Sequence, residues 1–158
     1  MTRARSCSGE TSLREKLEAV RMQVINALRD HSALRHEIIA MRNKLSAARP
    51  VKPDVFDVKH SAGGMVDVEF AVQYLVLAFA CQHPALLANV GNIQLLERSE
   101  QAGLLPAGIG AAAGNAYRAL RKVQHQARLD ELATQIPLTE AREWRDDVLA
   151  LWRAVFGN

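Results

Sequence analysis

The sequence predicts an all-α fold: a bundle of five to seven helices, with a short extended segment and a glycine turn before a central buried helix. Three observations predict it. Apolar residues recur at helical spacing along most of the 158 residues. The composition is 49% hydrophobic but only 5% aromatic, with many Ala and Leu, which favours helices over a sandwich or barrel. The apolar run over residues 65–81 is longer than a typical strand and ends in Ala-rich sequence. A chain of this length buries a real core without disulfide or metal staples.

Each element follows from local pattern. Residues 1–11 hold Ser6, Ser8 and Gly9 and read as a loop, leaving 12–158 as the bundle domain. Leu13, Leu17, Val20, Val24 and Leu28 keep a helical period, with Thr11 or Ser12 as N-cap. Ser32 is placed to cap a second helix with the stripe Leu34, Ile38, Met41 and Leu45, and Pro50 and Pro53 end it. Residues 56–59 alternate apolar and polar, as in a short extended piece, and 60–64 form a turn. Residues 65–81 are apolar almost all round, the pattern of a buried helix. Pro84 opens a short helix reaching Asn89, and another covers 92–102 with Gly103 to stop it. Pro106 opens a long element, loose through Gly108, Gly110 and Gly114 and then firm to Leu132, with the stripe Ala116, Leu120, Val123 and Ala127. The last helix follows Thr139 as N-cap, buries Trp144, Val148, Leu151 and Val155, and ends at Gly157.

Charge and cysteine usage narrow the function classes. A net charge of +3 is too mild to argue for nucleic acid. Ten of the 20 Lys/Arg but only five of the 17 Asp/Glu fall in residues 1–49, a basic front that suits an acidic partner, phosphate or plain solvent. Cys7 and Cys81 lack metal spacing, the five histidines lack zinc spacing, and no signal-peptide pattern is present, so a reduced, cytoplasmic protein without a His/Cys metal site is expected. The apolar run 70–81 is too short to span a membrane and is interrupted by Gln73.

Chemistry concentrates at Lys59-His60-Ser61-Ala62-Gly63-Gly64-Met65-Val66-Asp67-Val68-Glu69-Phe70. On a strand, Asp67 and Glu69 would share a face and could hold a divalent metal. On a helix, which the length of the run favours, they lie about 200° apart and cannot share one ion. Glu69 then aligns with Gln73 one turn on. Gly63 and Gly64 allow close backbone approach and leave N–H groups at a helix start, suited to a phosphate or to Asp67 itself. Lys59 is a candidate partner for Glu69 or a phosphate ligand, although a lysine ahead of the glycines is not a P-loop. A second cluster, Arg118, Arg121, His125 and Arg128, falls on one face of the long helix. It suits acidic residues of a partner, the two acids of the bundle, or solvent.

Together these residues resemble a known family. Phe56-Asp57-Val58-Lys59, Gly63-Gly64-Met65-Val66-Asp67-Val68-Glu69-Phe70 and Gln73-Tyr74-Leu75 resemble the F-D-[IV]-K…G-G-x-x-D-[IV]-E-F…Q-Y-L pattern of bacterial glutamine synthetase adenylyltransferases. Thr2-Arg3-Ala4-Arg5 is similar to the family's T-R-A-R, Met41-Arg42-x-Lys44 to its M-R-x-K, and Tyr117-Arg118-x-Leu120-Arg121 with His125 to its Y-R-x-L-R…H. The resemblance implies a bifunctional enzyme of two similar halves, one removing AMP from a tyrosine of glutamine synthetase and one attaching it from ATP. Each half is a nucleotidyltransferase core followed by a helical domain. The first half usually carries Arg-Glu where this chain has Val66-Asp67, so the resemblance implies the helical domain of the C-terminal, adenylylating half.

The family's G-S-x-x-D-x-D signature, whose aspartates hold magnesium and nucleotide, is absent from this sequence. The resemblance therefore implies a piece lacking the catalytic core, inactive alone, with ATP and Mg2+ belonging to the full-length enzyme and no catalytic or metal-binding residue here. Lys59, Gly63, Gly64, Asp67, Glu69 and Gln73 would line or support the cleft against the missing core. Arg118, Arg121, His125 and Arg128 would meet glutamine synthetase or the nitrogen-regulatory PII protein. The alternative is an interaction module that docks glutamine synthetase or PII and touches no nucleotide. Exposure separates the two: open acids beside Lys59 favour the cleft, whereas acids sealed by arginines favour a structural or docking role.

Overall fold

The computed structural model describes residue 2 and residues 4–157. Arg3, which belongs to the T-R-A-R block, lies outside the described residues, as do Met1 and Asn158. Six α-helices, α1 (Thr11–Asn26), α2 (His31–Ala47), α3 (Met65–Phe79), α4 (Asn92–Gln101), α5 (Ile109–Leu129) and α6 (Leu138–Phe156), join a 3-10 turn at Pro84–Leu87 and two short strands, β1 (Val55–Asp57) and β2 (Gln135–Pro137). The fold is an all-α bundle. Helix α3 is its axis, touching each of the other five helices. Its Val68, Ala71, Val72 and Leu75 are sealed among Leu96 of α4, Leu120 of α5 and Val148 and Leu151 of α6. A helix that is apolar nearly all round can be satisfied only in such a central position.

The strands form an antiparallel pair, with Phe56 opposite Ile136. Val58 N–H to Thr134 O (3.0 Å) and Leu138 N–H to Asp54 O (2.9 Å) extend the pairing at both ends. Strand β1 coincides with the extended piece read from the sequence, but its partner does not announce itself. Three residues ending in proline carry almost no periodic signal, and the pairing spans about half the chain. Because Pro137 closes β2, α6 starts directly at Leu138, one residue before the expected cap Thr139.

Other local expectations are corrected. The cap of α2 is Asp30, whose carboxylate accepts the N–H groups of Ser32 (2.8 Å) and Ala33 (3.1 Å), not Ser32. Helix α1 starts at Thr11 after Glu10, with no side-chain cap. Its expected core stripe is only partly inward: Leu13, Val20 and Leu28 are exposed and Leu17 and Val24 half-buried, while Arg21 and Ile25 are the buried positions. Arg21 tolerates burial because its guanidinium donates to the carbonyls of Thr2 (3.3 Å) and Leu87 and to Glu18 (2.8 Å). Apolar periodicity has no way to register such a residue. In α2, Met41 is likewise exposed.

Helix α5 is regular from Ile109 rather than loose at its glycines. A Cβ at Gly110 would stand 2.8 Å from Leu96 O and 2.7 Å from Glu100 Oε2, so α5 lies tight against α4 at this glycine. The Glu100 carboxylate spans the helix start, accepting Gly108 N–H (2.7 Å) and Ala111 N–H (3.0 Å). These backbone hydrogen bonds, Gly108 first and then Ala111, hold its carboxyl below the usual carboxylate value. A carboxyl held low in the folded state adds stability that is present above its unfolded pKa and lost as pH falls through the folded one. Glu100→Gln should therefore lower the melting temperature near neutrality, and the gap to wild type should close as the pH falls through and below the ordinary carboxylate range. Thermal melts of both proteins across that range check this.

Candidate functional site

The turn before α3 is held by its own polar groups. Asp57 Oδ1 accepts the N–H groups of Lys59 (2.8 Å) and His60 (2.9 Å), and Ser61 Oγ accepts that of Asp57 (2.9 Å). Every backbone N–H from Gly63 to Asp67 then donates within the chain: Gly63 to Asp67 Oδ2 (2.8 Å), Gly64 to Ser61 O (2.8 Å), Met65 to Val58 O (2.9 Å), Val66 to Lys59 O (3.1 Å) and Asp67 to Gly64 O (3.2 Å). The N–H groups that the glycine pair was expected to offer a phosphate are thus committed inside the fold.

Both glycines are buried and serve close packing. Gly63 has φ +85°, and a Cβ there would lie 2.7 Å from both Cγ and the carbonyl oxygen of Arg145 in α6. A Cβ on Gly64 would meet the carbonyls of Ser61 (2.9 Å) and Val58 (3.0 Å). Any side chain at either position would push the turn off α6 or off itself.

Asp67 is 3% exposed and fully engaged. Arg42 of α2 forks onto it, Nε to Oδ1 at 3.0 Å and Nη2 to Oδ2 at 2.8 Å. The Arg42 guanidinium lies 4.8 Å from the ring centre of Trp152 in α6, so one side chain ties three helices together. The bond to Asp67 raises the Arg42 pKa above its ordinary value despite the opposing effect of burial. Glu69, half-buried on another side of α3, accepts a hydrogen bond from Tyr117 OH of α5 at 3.0 Å. Gln73 is half-buried one turn further on. Lys59 is half-buried, and its ammonium meets no carboxylate within ion-pair distance among the described residues.

The expected site residues thus fall into separate places. Gly63, Gly64 and Asp67 are brought together around Arg42, Glu69 belongs to a second contact with α5, and Lys59 pairs with neither acid. Arg118, Arg121, His125 and Arg128 all face solvent on α5, and Arg118 donates to Asn115 Oδ1 at 2.7 Å. None of these four reaches Asp67 or Glu69. Reading the segment alone missed Arg42 and Tyr117 as the partners of the two acids. Their signal lay in two blocks that stand apart in sequence, Met41-Arg42-x-Lys44 and Tyr117-Arg118-x-Leu120-Arg121, which the fold joins to the central one. Among the described residues no three His, Cys, Asp or Glu side chains gather as a metal site.

Asp67→Asn leaves Arg42 charged and half-buried without its counter-ion, and should cost about 2–4 kcal/mol of stability. Gly63→Ala should cost a similar amount through strain and the Arg145 clash, about 2–3 kcal/mol. Urea denaturation of both variants beside the wild type measures the two effects, and a midpoint unchanged in Asp67→Asn would show that the clamp is not structural.

Comparison with known proteins gives the family. The model of the GlnD PII-uridylyltransferase family matches residues 34–145, a stretch that contains Arg42, Asp67, Glu69 and Tyr117. Bifunctional glutamine synthetase adenylyltransferase/adenylyl-removing enzymes are similar along the whole chain. That of Aromatoleum aromaticum is 44% identical over 158 residues, covering 100% of this chain and 17% of the relative. That of Bordetella bronchiseptica is 46% identical over 156 residues, 98% of this chain and 17% of the relative. The Neisseria meningitidis enzyme is 41% identical over 158 residues, again 100% and 17%. The chain thus spans about a sixth of the length of these relatives. It belongs to the family that the GlnD PII-uridylyltransferase model describes, and it is similar throughout to a segment of the bacterial bifunctional glutamine synthetase adenylyltransferase/adenylyl-removing enzymes.

Proposed function

We propose that this chain is the helical domain of the C-terminal, adenylylating half of a glutamine synthetase adenylyltransferase, and that it supports transfer of AMP from ATP to a tyrosine of glutamine synthetase in the cytoplasm. The observation that carries the reading is similarity along the whole chain to enzymes of which it matches only about a sixth. The Val66-Asp67 form of the central block favours the adenylylating half over the adenylyl-removing one.

In this reading ATP and Mg2+ are held by aspartates of the G-S-x-x-D-x-D signature, which this sequence lacks, and the isolated chain transfers no AMP. The domain's part is positional. Asp67 and Arg42 make the base of α3 rigid, so that the surface around Lys59 is presented to the core without flexing. Asp67 acts through the fold, as a positioning residue, because a carboxylate already holding three hydrogen bonds has little capacity left for substrate.

The docking reading gains from two observations, the first being that Asp67 is sealed by an arginine rather than open beside Lys59. The exposed face carrying Arg118, Arg121, His125 and Arg128 is bare of bundle partners, and suits acidic residues of glutamine synthetase or PII. In the full-length enzyme, Arg118→Glu with Arg121→Glu should raise KM for glutamine synthetase by about tenfold, with kcat and stability near wild type. Asp67→Asn should instead lower AMP transfer together with the melting temperature. Normal transfer by a normally folded Asp67→Asn enzyme would sink the positional role, and an unchanged KM in the double variant would sink the docking face.

A further inference from the structure

Beside the clamp lies a cleft of about 330 Å³ between the end of α2, the proline loop that follows it, the turn before α3 and the start of α6. Its charged lining is of one sign. Arg42, Arg49, Lys52 and Arg145 border it together with His60, and no Asp or Glu does. That segregation stands out in a chain whose 20 Lys/Arg are nearly matched by 17 Asp/Glu. The walls between the cations are apolar, among them Pro50, Val55 and Leu138.

Little of this charge is neutralised internally. Arg42 is taken by Asp67. Arg145 touches Asp146 at 3.3 Å, a contact between neighbours in which the aspartate is largely exposed and which binds weakly. Among the described residues Arg49 and Lys52 have no carboxylate within ion-pair distance. Arg49 instead points Nη1 at Nε2 of His60. The other nitrogen of that ring is Nδ1. That Nδ1 is sealed from solvent and has no hydrogen-bond partner among the described residues. Among the described residues the cleft therefore gathers two solvent-exposed cations without a carboxylate partner, Arg49 and Lys52, beside the half-buried Arg145 and a buried ring nitrogen that has no hydrogen-bond partner.

We propose that this cleft is a phosphate site, binding the phosphate group of a small molecule through Arg49, Lys52, Arg145 and His60. The volume suits a phosphate ester and excludes a helix or strand of a partner. Planar guanidinium groups from two elements, together with an ammonium, match the several oxygens of a phosphate better than the two of a carboxylate. The site is distinct from the AMP-transfer reading and does not rest on it: Lys59 and the acids of α3 take no part.

His60 supplies an independent readout. Burial first, then Arg49 and also Lys59, lower its pKa, while Asp57 and Glu69 act to raise it. A bound dianion opposes the two cations and should move the His60 pKa upward, so that phosphate binding takes up protons near neutrality.

The test titrates the chain by calorimetry with inorganic phosphate and, separately, with ATP, while the His60 ring is followed by NMR. Saturable binding of either, with an upward His60 pKa shift, is the expected result. Comparable affinity for both ligands identifies the free anion as sufficient, and a preference for ATP of tenfold or more identifies a nucleotide's phosphates as the source. Arg49→Gln and Lys52→Gln should each weaken binding by about tenfold without changing the melting temperature. Arg128→Gln, far along α5, should leave it intact. The proposal is overturned if neither ligand binds by about 10 mM, if acetate binds as well as phosphate, or if Arg128→Gln weakens binding as much as the cleft variants.

Discussion

The fold depends on how one buried carboxylate is satisfied. Asp67 sits in the first turn of α3, at the point where a polar turn gives way to the most apolar segment of the chain. An acid there already gains from the helix dipole, and by itself that would be an ordinary surface arrangement. Burial changes the requirement, because an ionised carboxylate removed from water must recover its hydration from hydrogen bonds and a counter-charge. Arg42 supplies two bonds and the charge, and Gly63 N–H supplies a third bond. Each partner then imposes a condition of its own. Gly63 must hold a positive φ against α6, and Arg42 must reach from α2 across the face of Trp152.

This constraint explains which parts of the molecule are legible in the sequence. The central helix, the helical fold class and the stop at Gly103 follow from runs and punctuation that local reading captures. So do Val148 and Leu151, which are buried as their spacing implies. What escaped detection are residues whose place is fixed by hydrogen bonds from a distance. Arg21 is sealed beside Thr2 and Leu87, and Glu100 holds the start of α5 from α4. Strand β2 exists only because β1 is there to pair with it. Hydropathy ranks an arginine as a surface residue and a three-residue strand as a loop, and neither ranking holds once a partner far along the chain is in place.

The candidate site shows the same division. The residues of the Gly-Gly-Met-Val-Asp-Val-Glu-Phe block are conspicuous because acids are costly in apolar company, and that inference leads correctly to the need for partners. It does not identify them. Arg42 lies 25 residues before Asp67 and Tyr117 lies 48 after Glu69, distances at which spacing carries no geometric information. The motif blocks that resemble one family become intelligible in space: one contributes the acids, another the arginine, a third the tyrosine.

Closing the carboxylates inside the bundle has a consequence for how charge is distributed over the surface. With Asp67 spent on Arg42, and Glu69 turned toward Tyr117, no acid of α3 lines the cleft beside the proline loop. Asp57, the nearest acid of β1, uses Oδ1 on the N–H groups of Lys59 and His60 and stays within the turn. The same hydrogen bonds that make the turn rigid therefore leave an uncompensated positive cleft beside it. A protein gains nothing in stability from gathering like charges around an apolar-walled hollow, since their mutual repulsion and partial desolvation both oppose folding. The Asp67 fork and the close approach of Gly63 to Arg145 fix two of these cations, Arg42 and Arg145, at the wall of the cleft, while Arg49 and Lys52 stand exposed at its rim. The structural role of Asp67 and the anion-binding capacity next to it are thus two results of one arrangement.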